Sequence, residues 1–208
     1  HMSAAGKVCT GFSRPWVAKY SANGGAVTYS GAMQLARGVE VKIDPETAAD
    51  NTFYADNMAA ESQEGVLTGG TTTLTVDGLF RKAEDLIMGL PETKSKITID
   101  GSTQVEVTDY DDDMKIPYIG LGFIVRYMSD GVTSYSPVVL TKLRTTASSE
   151  EYATQEEEID WQTKELEMSI HRDDSTKHRW KRVADDQERE DAAEACIKAM
   201  LNYTEPGG

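Results

Sequence analysis

Apolar and polar residues alternate along several stretches of the chain, which is the pattern of half-buried β-strands. Two clear examples are residues 38–44, with Val39, Val41 and Ile43 on one face, and residues 71–77, with Leu74 and Val76 on one face. Three other pairs of strand-like segments flank dipeptides that favour the positive φ of tight turns, so each pair predicts a hairpin. They are residues 16–20 and 26–30 around Asn23-Gly24, residues 96–100 and 104–109 around Asp100-Gly101, and residues 118–129 and 132–146 around Asp130-Gly131.

The segment at 118–129 is apolar on both faces. One face carries Ile119, Leu121, Phe123, Val125 and Tyr127, and the other carries Gly120, Gly122, Ile124, Arg126 and Met128. A strand of this kind is usually buried on both sides. One side belongs to the core, and we expect a second sheet or another subunit to cover the other. The two glycines indicate a bulge or a close backbone approach.

Two helices are predicted by apolar residues at helical spacing. The first covers residues 78–89, with Asp77 as the capping residue and Gly89 as the end. The second covers about residues 185–201, near the C-terminus, and places Ala193, Cys196, Ile197, Met200 and Leu201 on one face. Two segments, about 45–70 and 145–160, show no regular periodicity, and loops of that length are usually functional or disordered.

Charge and cysteine content narrow the function. The 208 residues include 35 Asp and Glu but only 21 Lys and Arg, a formal net charge of −14, which argues against binding to a phosphate backbone. No apolar run approaches the roughly 20 residues that span a bilayer. Cys9 and Cys196 lack a C-x-x-C spacing, so a reduced, cytoplasmic origin is expected. Residues 1–2 look like a remnant of an expression vector, which leaves a single domain over residues 3–208.

Catalytic and metal-binding motifs are not found in the sequence. Glu156, Glu157 and Glu158 are contiguous and Asp160 follows after one residue, so the side chains along this run alternate in direction instead of converging. The acidic run at 109–113 lacks the Gly and Glu positions of an EF-hand, and we interpret it as an acidic loop. We therefore predict no enzyme activity, no cofactor and no metal. A carboxylate hydrolase is the enzymatic alternative, and it requires a pocket that holds two acids with raised pKa values.

Residues 156–170, EEEIDWQTKELEMSI, combine strand alternation with many carboxylates. The apolar positions change parity: Ile159 and Trp161 are odd, whereas Leu166, Met168 and Ile170 are even. Either a bulge lies between Trp161 and Leu166, or the strand buries its two halves on opposite sides. The second option points to a partner surface.

Four stretches together resemble the major tail protein family of long-tailed siphophages, whose members form the tail tube. They are KIDPETAADNTFYADNMAAES (42–62), LTVDGL (74–79), IPYIGLGFI (116–124) and the run at 156–170. The resemblance covers roughly residues 14–183. It implies a β-sandwich or curled barrel with one flanking helix, to which this chain adds its C-terminal helix. The segments at 45–70 and 145–160 would be arms that order when the next ring docks.

The resemblance also implies a function and partners. Six copies would form a ring, and stacked rings would enclose a channel for DNA ejection, with tape measure and tail terminator proteins as further partners. An acidic wall would let DNA pass without specific binding. Assembly would take place in the bacterial host cytoplasm and end in the virion tail, with no membrane contact. Tyr54, Asp56, Trp161 and Gln162 lie in the matching stretches and are the predicted subunit contacts. The alternative is a monomeric β-sandwich that serves as a binding or head-decoration module.

Overall fold

The computed structural model describes residues 7–48, 51–55, 58–63, 66–149 and 163–207. The structure is 56% strand and 11% helix, which confirms the prediction of a mainly β chain with two helices. None of the described helices is long and apolar enough to cross a bilayer.

The elements follow one another in a fixed order of twelve strands and two helices within the described ranges. They are β1 (Val8–Asn23), β2 (Ala26–Gln34), β3 (Arg37–Thr47), β4 (Asn51–Ala55), β5 (Met58–Gln63), β6 (Leu67–Asp77), α1 (Arg81–Met88), β7 (Ser95–Ile99), β8 (Thr103–Val107), β9 (Ile119–Ser129), β10 (Val132–Ser149), β11 (Lys164–Ile170), β12 (Lys181–Val183) and α2 (Glu190–Met200).

Eight strands form one antiparallel sheet in the order β2-β1-β9-β10-β11-β6-β3, with β12 paired to β10. The sheet curls into a half-barrel. Its curl brings the start of β3 back towards β1, where the ring of Phe12 lies so close to Gly38 that a Cβ there would be 2.2 Å from it. The strands β4 and β5 form one separate two-stranded ribbon, and β7 and β8 form another.

The three predicted hairpins are present. The two later turns have positive φ at the expected residues, with φ of 50° at both Asp100 and Asp130, each followed by a glycine. The first turn is displaced by one residue: Asn23 pairs with Ala26, and the positive φ angles fall at Gly24 and Gly25. Glycine at both turn positions removes the Cβ conflict that Asn23 would meet.

The sheet buries apolar side chains on both faces, as the alternation in β10 shows. Val138 and Leu140 enter the core that contains α1, whereas Val139 between them enters the core that contains α2. The enclosed side of the curled sheet therefore packs against α1, and the opposite side packs against α2. Each helix contributes an apolar stripe: Ala83 and Ile87 from α1, and Ala193 and Ile197 from α2, which Leu201 continues just after the helix.

Both helices begin later than predicted. The residue that precedes α1 is Phe80, without a side-chain hydrogen bond, while Asp77 remains in β6 and forms an ion pair with Arg37 at 2.7 Å. Before α2, the backbone of Gln187 bonds in both directions with that of Tyr135, which holds residues 185–189 outside the helix. Tertiary pairing therefore overrides the local helix signal at both starts.

The prediction of an irregular segment at 45–70 is wrong for the described part. Strand β3 continues to Thr47, β6 begins at Leu67, and the ribbon β4–β5 lies between them. Strand β10 likewise continues to Ser149, so residues 145–149 belong to a strand, with a register shift between Thr145 and Ala147. Residues 150–160 of the second predicted arm lie outside the described residues.

Candidate assembly surface

The second apolar face of β9 is covered by α2 of the same chain, so the expectation of a second sheet or another subunit at this place is wrong. Gly120 and Gly122 allow the close approach. A Cβ on Gly122 would lie 2.4 Å from Cγ2 of Ile197, and one on Gly120 would lie 3.0 Å from Cδ2 of Leu201. The predicted close approach is thus present: α2 makes it at Gly122, and at Gly120 the ring of Tyr29 in β2 comes closer still, with Cε1 2.5 Å from the position of a Cβ.

Polar contacts hold α2 in place on β1. The guanidinium of Arg14 donates to Asp191 at 2.7 Å and to Glu194 at 2.5 Å, and the Trp16 indole donates to Glu194 at 2.9 Å. Burial acts to raise the pKa of Glu194, but the hydrogen bonds from Trp16 and Arg14 more than offset it and lower the pKa. Because α2 is tied by charge as well as by packing, the sheet surface beneath it is closed to a partner.

An uncovered apolar face is found on the ribbon β7–β8. The pairings Ile97 with Val105 and Ile99 with Thr103 place these side chains on one face, while Lys96, Thr98, Gln104 and Glu106 occupy the other. Ile97, Ile99 and Val105 are exposed by 51%, 42% and 40%. A two-stranded ribbon is marginal in water by itself. A ribbon that is polar on one face and apolar on the other presents a surface that a partner can bury.

The free edges of the main sheet are less open than its topology suggests. At the β2 edge, the amide of Tyr29 donates to Oδ1 of Asn202 at 2.8 Å, so a residue just after α2 satisfies one amide of this edge. At the β3 edge, Lys42 forms an ion pair with Asp44 at 3.1 Å, and Pro45 follows. Charged residues and proline are the usual protection of edge strands against further pairing.

A polar cluster links Tyr20, Lys142 and Asp174 on the outer side of the sheet. Tyr20 donates to Asp174 at 2.5 Å, and Lys142 donates to the same carboxylate at 2.9 Å. Burial, followed by the bond to Asp174, raises the pKa of Tyr20 to about 12. The Tyr20 and Lys142 bonds lower the pKa of Asp174. A phenol with a raised pKa is a poor nucleophile or base at neutral pH, so we assign the cluster to holding the segment after β11 on the sheet.

His171 and Ser169 are the one Ser–His pair in the described ranges, with Oγ and Nε2 2.8 Å apart. Burial and the charges of Lys142 and Arg144 lower the pKa of His171. Its ring also meets Tyr118 edge-on, with centroids 5.2 Å apart. Among the described residues, no carboxylate binds the histidine ring to orient it, as a Ser–His–acid triad requires.

Carboxylates do not converge on a metal site in the part of the chain that the structure describes, where no group of three His, Cys, Asp or Glu is placed to hold an ion. In the acidic loop, Asp111 Oδ1 instead accepts the amide of Asp113 at 3.0 Å, a local turn. The described carboxyl groups whose pKa departs from the ordinary value all have it lowered: Asp174, Asp186, Asp191 and Glu194. A hydrolytic general acid needs the opposite shift.

Of the four predicted contact residues, the structure describes one, Tyr54, so their role as subunit contacts stays a prediction. Tyr54 lies in β4, and its backbone pairs with Ala59 of β5. Asp56, Trp161 and Gln162 lie outside the described residues. So does the odd half of the parity change, whereas the residues of its even half, Leu166, Met168 and Ile170, are buried in the core that contains α1. The ribbon β7–β8 was predicted only as a hairpin. Its apolar face can be read from the alternation of Ile97, Ile99 and Val105, but its exposure cannot.

Comparison with protein-family models and with curated proteins finds no match for this chain.

Proposed function

We propose that this chain is a structural virion protein, the subunit of the tail tube of a long-tailed phage. Six copies form a ring, and stacked rings enclose the channel for DNA ejection. The resemblance of residues 14–183 to the major tail protein family supports this proposal, and so does the curled, mainly β fold. The net charge of −14 is compatible with a channel that does not retain DNA.

The observation that carries the proposal is the uncovered apolar face of the ribbon β7–β8. Full burial of an Ile or Val side chain contributes about 1.5–3 kcal/mol. Ile97, Ile99 and Val105 are each roughly half exposed. Complete burial of all three side chains against a neighbouring subunit would therefore contribute about 3 kcal/mol in total. This is less than the cost of bringing two proteins together, so the ribbon needs further contacts and a high protein concentration.

The outer face of β9 and strand pairing along the β2 edge are not needed for the proposed assembly. The outer face of β9 is occupied by α2, and on the β2 edge the amide of Tyr29 already donates to Asn202. The ring contacts therefore do not use the sheet surface beneath α2, and the proposal does not depend on strand pairing across the β2 edge.

Negative-stain electron microscopy of concentrated protein at high salt tests the proposal. Salt is needed because copies that each carry −14 repel one another, and this repulsion is screened over about 3 Å at 1 M. We expect rings or tubes for the wild-type chain. The variant Ile97→Lys should lose them, because it places a charge on the apolar face.

Thr98→Lys is the matched control. It adds the same charge at the neighbouring residue, on the polar face of the ribbon. Both changes reduce the net negative charge, so repulsion alone would favour assembly in both. Rings that persist in Ile97→Lys contradict the role of the ribbon, and a wild-type chain that stays monomeric at every concentration and salt favours the monomeric binding or head-decoration module.

A further inference from the structure

A small basic pocket lies between β2, the end of α2 and the segment 179–182. Its volume is about 320 Å³. It is lined by Val27, Tyr29, Arg179, Arg182, Ala199, Met200 and Asn202, none of them acidic. The lining therefore carries two arginines and no carboxylate, and one of the two, Arg179, has an acidic neighbour, Asp173, outside the lining.

The two arginines differ in how their charge is balanced. Arg179 Nε lies 3.4 Å from Oδ2 of the buried Asp173, and neither of these atoms has a hydrogen bond. Arg182 is half-buried in β12, and within the described ranges its side chain forms no ion pair and no hydrogen bond. A guanidinium that is partly removed from water without a counter-charge attracts an anion, and its planar set of donors fits a carboxylate in two parallel bonds.

The walls of the pocket restrict the size of that anion. Val27 and Met200 supply apolar surface, and Asn202 is held by its bond to the Tyr29 amide. The volume is at the lower end of ligand pockets and suits one or two side chains. A DNA duplex, about 20 Å across, could present only an isolated phosphate, and the chain's net charge opposes its approach.

We propose that this pocket receives a carboxylate side chain from a second copy of the chain. This inference rests on the proposed self-assembly. Copies that each carry −14 repel one another at long range, so a ring needs local contacts of opposite charge to fix its geometry. An acidic neighbour offers many carboxylates, and this basic pocket, hereafter the Arg182 pocket, provides the positive partner.

The test compares Arg182→Gln with Lys177→Gln. Both variants remove one positive charge from the same part of the chain, but Lys177 is exposed and does not line the pocket. Assembly is followed by sedimentation velocity and light scattering as a function of protein concentration. Arg182→Gln should need about tenfold more protein for half-assembly than the wild type, whereas Lys177→Gln should stay within about twofold. The difference should shrink as salt screens the contact.

Each outcome has a distinct meaning. Equal effects of the two variants on assembly would show that only net charge matters and would overturn the proposed role of the pocket. Assembly of Arg182→Gln at the wild-type concentration would overturn it as well. Arg182→Gln that assembles normally but binds a short DNA duplex more weakly would assign the pocket to phosphate and overturn the proposal. A wild-type chain that never assembles overturns both this inference and the proposed function. If Arg182→Gln does not fold, Arg182→Lys is the second variant, because it keeps the charge without the paired donors. The protein concentration that it needs for half-assembly should lie between that of the wild type and ten times that value.

Discussion

The close packing of α2 on β9 predicts a specific cost for adding a single methyl group at Gly122. In Gly122→Ala, the new Cβ would lie 2.4 Å from Cγ2 of Ile197, 3.3 Å from Leu201 and 3.5 Å from Val139. The first distance is far inside van der Waals contact, so the helix or the strand must move. The contacted atoms belong to buried side chains, which cannot turn out into solvent.

The magnitude follows from measured costs of overpacking. Adding atoms to a well-packed core costs about 1–3 kcal/mol, and the short contact here places Gly122→Ala in the upper half of that range. Ile197→Ala alone leaves a cavity and costs about 2–5 kcal/mol. The double variant should be less destabilised than the sum of the two by roughly 1 kcal/mol or more, because the truncated residue 197 makes room for the new methyl group.

Urea denaturation of the three variants measures these differences, provided that unfolding is two-state. Gly11→Ala is the matched control in β1 of the same sheet. Its Cβ would meet only Arg126 Cβ, at an ordinary 3.9 Å. We expect Gly11→Ala to be neutral or slightly stabilising, since alanine lowers the entropy of the unfolded chain.

The reasoning would be refuted if Gly122→Ala were as stable as Gly11→Ala, or if the double variant were simply additive. Either result would mean that α2 does not lie against β9 at this distance. The outer face of β9 would then be open to a neighbouring subunit, as its two apolar faces suggested.

Two further predictions concern the cap after α2 and the Tyr20 cluster. Asn202→Ala should lower the free energy of unfolding, measured in urea, by about 1–2 kcal/mol, because it loses the bond to the Tyr29 amide and places alanine at a left-handed φ of 53°. Asn202→Gly loses the same bond but tolerates this φ, so it should lose less stability. Equal losses in the two variants would contradict a contribution from backbone strain. Tyr20 has its pKa raised from 10.0 to about 12, so the stability it contributes is complete below pH 10 and is lost as pH rises through about 12. Thermal unfolding of wild type and Tyr20→Phe across this range should show a smaller alkaline loss in the variant, and parallel curves would contradict the assignment.

The strands and turns follow from local sequence, because alternation and turn dipeptides act over a few residues. The hairpin at Asp130-Gly131 is present where it was predicted, and so is the end of α1 at Gly89 in the left-handed conformation. The failures are at places where distant residues compete. Asp77 pairs with Arg37 instead of capping a helix, and Gln187 joins Tyr135 instead of starting one.

The candidate surface divides in the same way. Alternation in the sequence already places Ile97, Ile99 and Val105 on one side of a hairpin, but only the packing of the whole chain shows that no described element covers them. The Arg182 pocket has no local signature, because its walls come from β2, β12 and the end of α2.

The sequence by itself determined that this is a mainly β, strongly acidic chain whose strand β9 must be buried on both faces. Only the tertiary structure decided what buries the second face. Apolar periodicity records that a side chain leaves water, whereas the identity of its neighbour depends on how the chain returns in space. Here the chain returns about 70 residues later as α2, over two glycines that leave room for it.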